Sequence, residues 1–266
     1  MLDEARSDHA ERLAALTRAR RWAPAFGSDR PPPGIGEFEL AVIDGLGSRD
    51  AGSRPSRTLV GTLSERTLLL AYLSVGSVEE WRPHAAQVPC AWSLGPVPDR
   101  PDEHYVDVRE RGWRTLLTVQ ARQLADAGFD GLLLGRLDIA EAHPEVAAAV
   151  VGAVGALRAA VPQLLLVAHN GLAVAERLAI DAIAQEDVFA RWDGEHRRRS
   201  RTMTARIVAR LRRLRRRGLP VFTLDYAQPG SRLAAEAVRR SVAEGFRPAV
   251  SVATLDRLPH ATAEAA

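Results

Sequence analysis

Polar residues stand at the ends of most strand-like segments in this sequence, where an apolar run gives way to side chains that can do chemistry. Seven such positions carry a carboxylate, an amide, an imidazole or a hydroxyl group: Asp44, Ser74, His169, Asn170, Glu186, Asp225 and Tyr226. Carboxylates that converge on one mouth repel one another, so we expect a site that uses acid/base groups or holds a cationic or polyhydroxylated ligand. For Asp107 and Asp187, which also follow strands, a capping or loop role is an equally good interpretation.

Other common catalytic arrangements are missing from the sequence. There is no GxSxG motif for a serine nucleophile, and the single cysteine, Cys90, is not flanked by a histidine. The histidines show no metal-ligand spacing such as HExxH. The segment AVIDGLGSRDAG lacks the third glycine and the following helix of a dinucleotide-binding fold. We therefore predict neither a metal nor a nucleotide cofactor.

The elements that must position these residues alternate along the chain. Eight strand-like runs lie at residues 38–44, 67–76, 104–108, 131–135, 163–170, 181–187, 220–226 and 248–254. Helix-compatible segments separate most of these runs, a pattern typical of a parallel sheet covered by helices. Eight such units in 266 residues favour a closed (β/α)8 TIM barrel over an open sheet, with its site at the carboxyl ends of the strands.

The domain organisation is predicted to be simple. Residues 1–266 form a single TIM-barrel domain with a core at about 37–258, preceded by an N-terminal helix at residues 3–20 and a loop rich in proline and glycine. Two long polar loops, residues 45–58 and 77–103, follow the first and second strands. Long loops after strands of a compact domain are often functional.

The basic residues are all arginines, which gives an isoelectric point near 9.7 at a formal charge of only +3. They concentrate in residues 196–218, where Met203, Ile207, Leu211 and Leu214 recur at helical spacing. This periodicity predicts an amphipathic helix with one core face and a solvated arginine face. No aromatic residues interleave with the arginines as a base-stacking surface requires, so we predict no nucleic-acid partner.

Membrane association is not predicted. No apolar run reaches the roughly eighteen residues of a membrane span, and the N-terminus is charged where a signal peptide has an apolar core. The lone Cys90 fits a reducing compartment. We therefore predict a cytoplasmic protein, or a secreted one if the start codon is misassigned; the sequence predicts no oligomeric state.

Six motifs, in this order, resemble the strand motifs of one enzyme family: YLSVGSVEEWRP, YVDVRERGWRTLL, GFDGLLLGRLD, VAHNG, AQEDVF and GLPVFTLDYA. From about Phe38 to about Leu258 the chain is similar to glycoside hydrolase family 114, the endo-α-1,4-polygalactosaminidase-type TIM barrels. The resemblance implies hydrolysis of α-1,4-linked galactosamine-containing polysaccharide, or a related glycan, without a metal or organic cofactor. A polysaccharide or oligosaccharide substrate is thus the implied partner.

The resemblance also implies roles for individual residues. Glu186 matches a glutamate of the sixth strand that is thought to act in catalysis. Gly135 stands where the family motif GFDGVFLD ends in a second catalytic aspartate, and Ser77 stands where YLSIGEAEDYR has a glutamate. The positions that agree with the family are Asp44, Gly76, Glu79, Arg82, Asn170, Asp225 and Tyr226.

Glycoside hydrolysis usually needs two carboxyl groups across the scissile bond, and one expected member is a glycine. Three hypotheses remain: Asp138, Asp225 or Asp44 supplies the second carboxylate, or the barrel binds sugar without cleaving it, or it performs a different reaction. We favour the first hypothesis, with Glu186 in proton transfer and Asp225 or Asp44 as its partner.

Sugar contacts are expected from residues around this pair. Tyr226, Asn170 and Arg82 are candidates for positioning hydroxyl groups, and Trp81 and Trp92 for stacking on pyranose rings, whereas Trp113 suits the packing of its helix. His169 fits a substrate hydrogen bond and a buried barrel histidine equally well. The candidate substrate-binding set is completed by Ser74, Glu79 and Asp138. A cleft lined by carboxylates would suit a cationic amino sugar.

Overall fold

The computed structural model describes residues 2–27, 30–47 and 54–262. The helices are α1 (Leu2–Arg18), α2 (Arg57–Ser64), α3 (Arg111–Ala127), α4 (Ile139–Ala142), α5 (Ala147–Ala160), α6 (Arg201–Arg216) and α7 (Arg232–Ala243). The strands are β1 (Trp22–Ala25), β2 (Leu40–Asp44), β3 (Leu68–Ser74), β4 (Ser77–Glu79), β5 (Ser93–Val97), β6 (Arg100–Val106), β7 (Gly131–Gly135), β8 (Leu165–His169), β9 (Ala182–Glu186), β10 (Ala190–Trp192), β11 (His196–Arg198), β12 (Val221–Tyr226), β13 (Arg247–Ser251) and β14 (Ala261–Thr262).

Eight parallel strands form the barrel, in the order β1-β2-β3-β7-β8-β9-β12-β13. The first and last of them meet where the indole nitrogen of Trp22 donates a hydrogen bond to the carbonyl of Arg247 at 3.2 Å. Strand β14 pairs antiparallel with β13 outside this set. The predicted (β/α)8 TIM barrel with an additional N-terminal helix is confirmed.

One predicted barrel strand is wrong and one was missed. The HYVDV segment, residues 104–108, begins within β6, which pairs antiparallel with β4 and β5 in a separate sheet. The first barrel strand is β1, with the sequence WAPA, so the barrel begins at Trp22 and not near residue 37. A four-residue run that contains a proline shows no strand periodicity, which explains why it was overlooked.

The long loop at residues 77–103 contains β4, β5 and the start of β6, and this small sheet brings Glu103 to the barrel mouth. Of the other predicted loop, residues 45–58, the part at 48–53 lies outside the described residues.

Side chains along the barrel strands alternate between the interior and the surrounding helices. The interior apolar cluster contains Leu40, Val42, Leu70, Tyr72, Leu133, Leu165, Val167, Ala182, Ala184, Phe222 and Leu224. Helix α1 closes the amino-terminal end: Leu16 joins this cluster, and Arg12 bonds to the Asp130 carboxylate at 3.2 Å. The same alternation decides which strand-end residues face the mouth at the opposite end.

Helix α6 begins at a serine cap, because the Ser200 hydroxyl accepts the amide of Met203 at 3.3 Å. Its buried face consists of Thr204, Ile207, Val208, Leu211 and Leu214. The predicted amphipathic helix is present, but Met203 is 40% exposed because Thr204 and Val208 take the core positions beside it. Across the described parts of the chain, no helix is both long enough and apolar enough to cross a membrane.

Candidate active site

The alternation of the strands brings five predicted residues to the interior of the barrel mouth. Each lies two positions after a residue of the interior cluster on the same strand, and they are Asp44, Ser74, His169, Glu186 and Tyr226. Asp225 has the opposite parity and shares the helix-facing side of β12 with Thr223, whose hydroxyl lies 2.7 Å from that of Ser241 in α7. Adjacent residues of a strand point to opposite faces, so only Tyr226 of the Asp-Tyr pair faces the mouth.

Glu186 sits at the centre of a hydrogen-bonded cluster. The Asn170 amide nitrogen donates to Oε2 at 2.9 Å, the Tyr226 hydroxyl donates to Oε1, and His169 Nε2 lies 3.4 Å from Oε1. Burial opposes the charge of Glu186, but His169, Tyr226 and Asn170 outweigh it and hold the pKa of this carboxyl below its usual range. The side chain remains 22% exposed. Glu186 is therefore an ionised carboxylate that a ligand can reach.

The orientation of Asn170 is fixed by its other contacts. Its side-chain oxygen accepts the Glu186 amide at 3.0 Å and the Gln185 side-chain amide at 2.8 Å. These two donors leave the nitrogen of the Asn170 amide to face the Glu186 carboxylate. Asn170 has a left-handed backbone with φ of 61°, a conformation that asparagine adopts more readily than most residues.

Asp225 is turned away from the mouth and holds the chain that follows Glu186. Its Oδ1 accepts the amides of Phe189 at 2.6 Å and Ala190 at 2.7 Å, and the residue is 1% exposed. Burial raises the pKa of Asp225 to about 6, against the effect of these amide donors. This position corrects the expectation that Asp225 faces Glu186 across a substrate.

Two cavities flank Arg136 at the barrel mouth, and Arg136 lines both. The first, of about 890 Å³, is lined by residues that include Asp44, Tyr72, Glu79, Trp81, Arg82 and Glu103. The second, of about 710 Å³, is lined by Asp138, Asn170, Glu186, Asp187 and one face of α6, among others. Asp44 and Glu186 therefore belong to different cavities, which argues against the expected Glu186–Asp44 pair.

An ion pair stands between the two cavities. Glu103 accepts hydrogen bonds from Arg136 Nε at 2.6 Å and Nη2 at 2.5 Å. The Ser77 hydroxyl donates to the same carboxylate at 2.5 Å and lies 2.7 Å from the Ser74 hydroxyl. Glu103 thus brings a carboxylate to Ser77, the position where the family motif has a glutamate. Sequence reasoning missed Glu103 because residues 77–103 were assigned to a long loop, in which no strand was predicted to direct this side chain towards the barrel mouth.

Asp44 is engaged in a second buried ion pair. Arg82 Nη1 lies 2.8 Å from Asp44, and the rest of the guanidinium contacts Glu79 at 3.3 Å. The Arg82 guanidinium carbon lies 4.3 Å from the ring centroid of Trp81. Three of the expected substrate-binding residues, Arg82, Glu79 and Trp81, thus lie together in the first cavity and not beside Glu186.

Two other tryptophans considered in the sequence lie at α3: Trp92 packs against the helix, and Trp113 is part of it. A Cβ atom at Gly112 would lie 2.8 Å from Cζ2 of Trp92, so the indole covers the first turn of that helix. Trp92 lines neither cavity, which corrects its expected role in ring stacking. Trp113 is 1% exposed and donates to the carbonyl of Val75 at 2.8 Å, in agreement with the expected packing role.

Three further carboxyl groups, those of Asp138, Glu141 and Asp187, accompany Glu186 in the second cavity. Burial raises the pKa of Asp138, and the charge of Glu186 adds to this effect while Arg136 and His169 oppose it. Asp138 precedes α4 without capping it, and its Oδ1 is buried with no hydrogen-bond partner among the described residues. Burial, followed by the charge of Glu186, raises the pKa of Asp187 to about 7, and Oδ2 of Asp187 lies 3.3 Å from Arg199.

The space beside Gly135 is filled by Tyr72. A Cβ atom at position 135 would lie 2.5 Å from Cζ of Tyr72. The Tyr72 ring stacks on Phe26 with 4.8 Å between centroids and 5° between planes. No side chain fits at position 135 unless this stacked ring moves.

Comparison with known proteins agrees with this architecture. The sequence model of glycoside-hydrolase family GH114 matches residues 4–265. The chain belongs to this family. The resemblance of the strand motifs to GH114 is thereby confirmed, and the match extends beyond the motifs to nearly the whole chain.

Solved structures similar to this GH114 member include the glycoside hydrolase domain of PelA from Pseudomonas aeruginosa. It has a TM-score of 0.78 at 26% identity, over 91% of this chain and 98% of that one. Aspergillus fumigatus Ega3, solved in complex with galactosamine, has a TM-score of 0.76 over 92% and 97% of the two chains, and at 14% identity shows the shared fold alone. An uncharacterized protein of Deinococcus radiodurans is 27% identical over 238 residues, which are 83% of this chain and 75% of the relative.

Proposed function

We propose that this GH114 member hydrolyses a glycosidic bond in the second cavity, with Glu186 as the ionised carboxylate and Asp138 as the proton donor. One observation carries the proposal: both groups line one cavity, and their surroundings shift their pKa values in opposite directions. A carboxyl pair with separated pKa values can hold one proton donor and one charged group at the same pH. Asp138 thereby takes the place of the aspartate that is absent at Gly135.

The reaction follows from a protonated Asp138 and an ionised Glu186. Asp138 protonates the glycosidic oxygen as its bond to the anomeric carbon breaks. Glu186 either attacks the anomeric carbon, after which water releases the sugar and returns a proton to Asp138, or accepts a proton from a water that attacks directly. In both courses the hydroxyl of the water ends on the anomeric carbon, and the leaving sugar carries the proton of Asp138.

Three neighbours stabilise the ionised form of Glu186 that this role requires. Tyr226, Asn170 and His169 hold the charged carboxylate, and their removal would favour its protonated form. Asp187 and Glu141 are competing proton donors because burial raises their pKa values as well. We assign the role to Asp138 because an oxygen of Asp187 already faces the Arg199 guanidinium and an oxygen of Glu141 accepts the amide of Ala173.

The substrate proposed is an α-1,4-linked galactosamine-containing polysaccharide or a related glycan. The similar PelA domain is a glycoside hydrolase, and Ega3 was solved with galactosamine bound. Both cover more than nine-tenths of this chain. These likenesses make partly N-acetylated α-1,4-galactosamine oligomers the first compounds to test.

A second candidate function is a barrel that binds sugar without cleaving it. The observation in its favour is that Tyr72 fills the space beside Gly135, so the family aspartate has no room there. Loss of one of two catalytic carboxylates typically removes several orders of magnitude in rate. In this candidate Asp138 contacts substrate but does not replace the aspartate.

Mass spectrometry of reaction products separates the two candidates. The oligomers are incubated with the wild type, with Glu186→Gln, and with Glu195→Gln, an exposed glutamate-to-glutamine control in the turn between β10 and β11. Hydrolysis by the wild type and the control, and none by Glu186→Gln, supports the hydrolase. Binding of the oligomers without products from any variant supports the sugar-binding barrel and contradicts the hydrolase.

A further inference from the structure

The lining of the second cavity has two parts of different chemistry. Its four carboxyl groups lie at the end of β9 and at the start of α4, and they are Glu186, Asp187, Asp138 and Glu141. The part of the lining that α6 supplies consists of Met203, Arg206, Ile207, Ala209, Arg210 and Arg213. Helix α6 contains no acidic residue. A glycan in this cavity therefore meets carboxyl groups on one part of the lining and none on the part that α6 supplies.

Three apolar side chains belong to this lining. Met203 is 40% exposed, and Ile207 lies one helical turn further along the same face of α6. Leu172, in the segment after β8, is partly buried against the core and lines the same cavity. We call Leu172, Met203 and Ile207 the Met203 patch. A methionine adapts readily to a small apolar group, because its unbranched side chain has three rotatable bonds.

Two guanidinium groups beside the patch are available to a ligand. Arg206 follows Met203 by three positions and Arg210 follows Ile207 by three, so both lie on the helical face of the patch. Among the described residues, no hydrogen bond or ion pair holds the guanidinium group of either arginine. Their positive charge repels an ammonium group, whereas their N–H groups can donate to a neutral carbonyl oxygen.

The four carboxyl groups do not carry equal negative charge. Glu186 is held in its ionised form by its neighbours. Burial raises the pKa of Asp138 and of Glu141, and burial followed by the charge of Glu186 raises that of Asp187 to about 7. Arg210 opposes the shift at Glu141. Negative charge is thus strongest at Glu186, where an ammonium group is favoured, and a neutral group is favoured against α6.

We propose that the Met203 patch binds the N-acetyl group of an N-acetylgalactosamine unit, next to a galactosamine unit held beside Glu186. The acetyl methyl group packs on the patch, and the acetyl carbonyl oxygen accepts a hydrogen bond from Arg206 or Arg210. The inference rests on the proposed function, since it takes the glycan to lie in the second cavity. It goes further by making partial N-acetylation of that glycan a condition of tight binding.

A docked protein is the other occupant that exposed apolar side chains can indicate, and the size of the patch disfavours it. A stable protein interface covers roughly 800 Å² on each partner. The patch consists of three side chains within a cavity of about 710 Å³, a volume typical of sites for small ligands. A glycan segment fits these dimensions.

Calorimetric binding of the wild-type protein to four α-1,4-linked galactosamine tetrasaccharides tests the patch. Sulfur replaces the glycosidic oxygens in all four, so that no turnover occurs. The amino groups are all free, all N-acetylated, alternately free and N-acetylated, or alternately free and N-formylated. An N-formyl group is neutral like an N-acetyl group but lacks its methyl group, so this comparison separates packing from charge.

The alternately N-acetylated ligand should bind most tightly. We expect it to bind at least about tenfold more tightly than the ligand with free amino groups, through one buried methyl group and one hydrogen bond. It should bind about fourfold more tightly than the N-formylated ligand, as burial of one methyl group predicts. The fully N-acetylated ligand should bind more weakly than the alternating one, because it brings no ammonium group to Glu186.

Variants of Met203 isolate the packing contribution. Met203→Gln keeps the length of an exposed side chain but makes it polar, so the N-acetyl and N-formyl ligands should then bind equally. Met203→Leu should retain the difference between them. Val119→Thr is the matched control, because Val119 is an exposed apolar residue of α3 that does not line the cavity, and it should leave all four affinities unchanged.

Three outcomes contradict the inference. Equal binding of the N-acetyl and N-formyl ligands to the wild type would show that charge alone decides. Tightest binding of the ligand with free amino groups would exclude an acetyl site. A loss of the N-acetyl preference in Val119→Thr as large as that in Met203→Gln would mean that the preference does not arise at the patch.

Failure of this inference is distinct from failure of the proposed function, because the oxygen-linked forms of the same tetrasaccharides report cleavage separately. Cleavage by a wild type that does not distinguish N-acetyl from N-formyl would leave the hydrolase in place and overturn the patch. An N-acetyl preference that Met203→Gln abolishes, with no cleavage of any glycan, would support the patch and contradict the hydrolase.

Discussion

The ring of Tyr72 lies where a side chain at Gly135 would have to be. Tyr72 belongs to the second-strand motif and Gly135 to the fourth-strand motif, and their strands β3 and β7 are neighbours in the barrel. The absence of the family aspartate is therefore accompanied by packing that occupies its space. Restoring the aspartate requires Tyr72 to move as well. We therefore propose Asp138, and not position 135, as the source of the second carboxylate.

Replacement of Gly135 by alanine tests this packing. We expect Gly135→Ala to lower the free energy of unfolding by about 1 to 3 kcal/mol, because an added methyl group overlaps the Tyr72 ring. Combining it with Tyr72→Ala should give a double variant more stable than the sum of the two single changes predicts. Urea unfolding of the four proteins measures the coupling.

Gly155→Ala in α5 is the matched control, since nothing lies within 4 Å of the added Cβ. It should raise stability by about 0.5 to 1 kcal/mol through helix propensity. An unchanged stability for Gly135→Ala would contradict the described position of Tyr72.

Removal of the Tyr226 hydroxyl should raise the pKa of Glu186. This hydroxyl donates to the charged carboxylate, and a hydrogen bond to a charged group contributes about 1.5 to 3 kcal/mol. We therefore expect Tyr226→Phe to raise the pKa of Glu186 by about one unit or more. Carbon-13 NMR titration of the glutamate carboxyls, assigned with Glu186→Gln, measures the shift.

Tyr105→Phe is the control for this titration, because no hydrogen bond joins that tyrosine to Glu186 in the described chain. An identical pKa of Glu186 in the wild type and in Tyr226→Phe would show that Tyr226 does not hold the carboxylate.

Disruption of the ion pair between the cavities should cost stability. Glu103 is 6% exposed, and Glu103→Gln would leave the Arg136 guanidinium without its charged partner. We expect a loss of about 3 kcal/mol, the low end for breaking a buried pair, because Arg136 keeps some solvent contact. Chemical denaturation measures the loss.

The exposed pair between Arg212 and Glu244 has the same two-bond geometry. Glu244→Gln should therefore cost less than about 1 kcal/mol, as surface pairs do. Equal losses from the two substitutions would argue that Glu103 and Arg136 are not a buried pair.

Asp225 should make stability depend on pH in the acidic range. Burial raises its pKa from 3.8 to about 6, so the folded chain binds the proton more tightly than the unfolded chain. The free energy of unfolding should then fall by about 3 kcal/mol as pH rises from about 4 to about 6, and change little from this group above that range.

Asp225→Asn should remove this part of the slope while Oδ1 still accepts the two backbone amides. The free energy of unfolding is measured across the range for the wild type, for Asp225→Asn and for Asp126→Asn, an exposed control in α3. If Asp225→Asn kept the slope of the wild type, the buried charge of Asp225 would not be its cause.

Most of the barrel and part of the site could be predicted from the sequence. The site residues predicted correctly are those whose position in the alternation along the strand directs them into the barrel. The side chains of Asp44, His169, Glu186 and Tyr226 all point to the interior of the barrel. The two-residue alternation along each strand can reveal this orientation from the sequence. Asp225 and Tyr226 were both placed at the mouth, although adjacent strand residues cannot share a face. Only the register of β12 against its neighbours decides between them.

The remaining differences come from contacts between distant segments. HYVDV has the alternation of a strand, but local pattern does not distinguish an antiparallel insertion from a barrel strand. The pairing of Glu103 with Arg136 joins residues 33 positions apart, and this ion pair separates the cavity of Asp44 from that of Glu186. Nothing in either motif alone indicates that contact.

The kinetics of Glu186→Gln, Asp138→Asn and their double variant test the account most directly. Catalytic groups that act as a unit have non-additive effects, so each single substitution should lower kcat/KM at least about a thousandfold, and the double variant should be no slower than the slower single variant. Asp187→Asn serves as the comparison and should retain activity within about tenfold. An Asp138→Asn protein with nearly wild-type kcat/KM would contradict the pairing of Asp138 with Glu186.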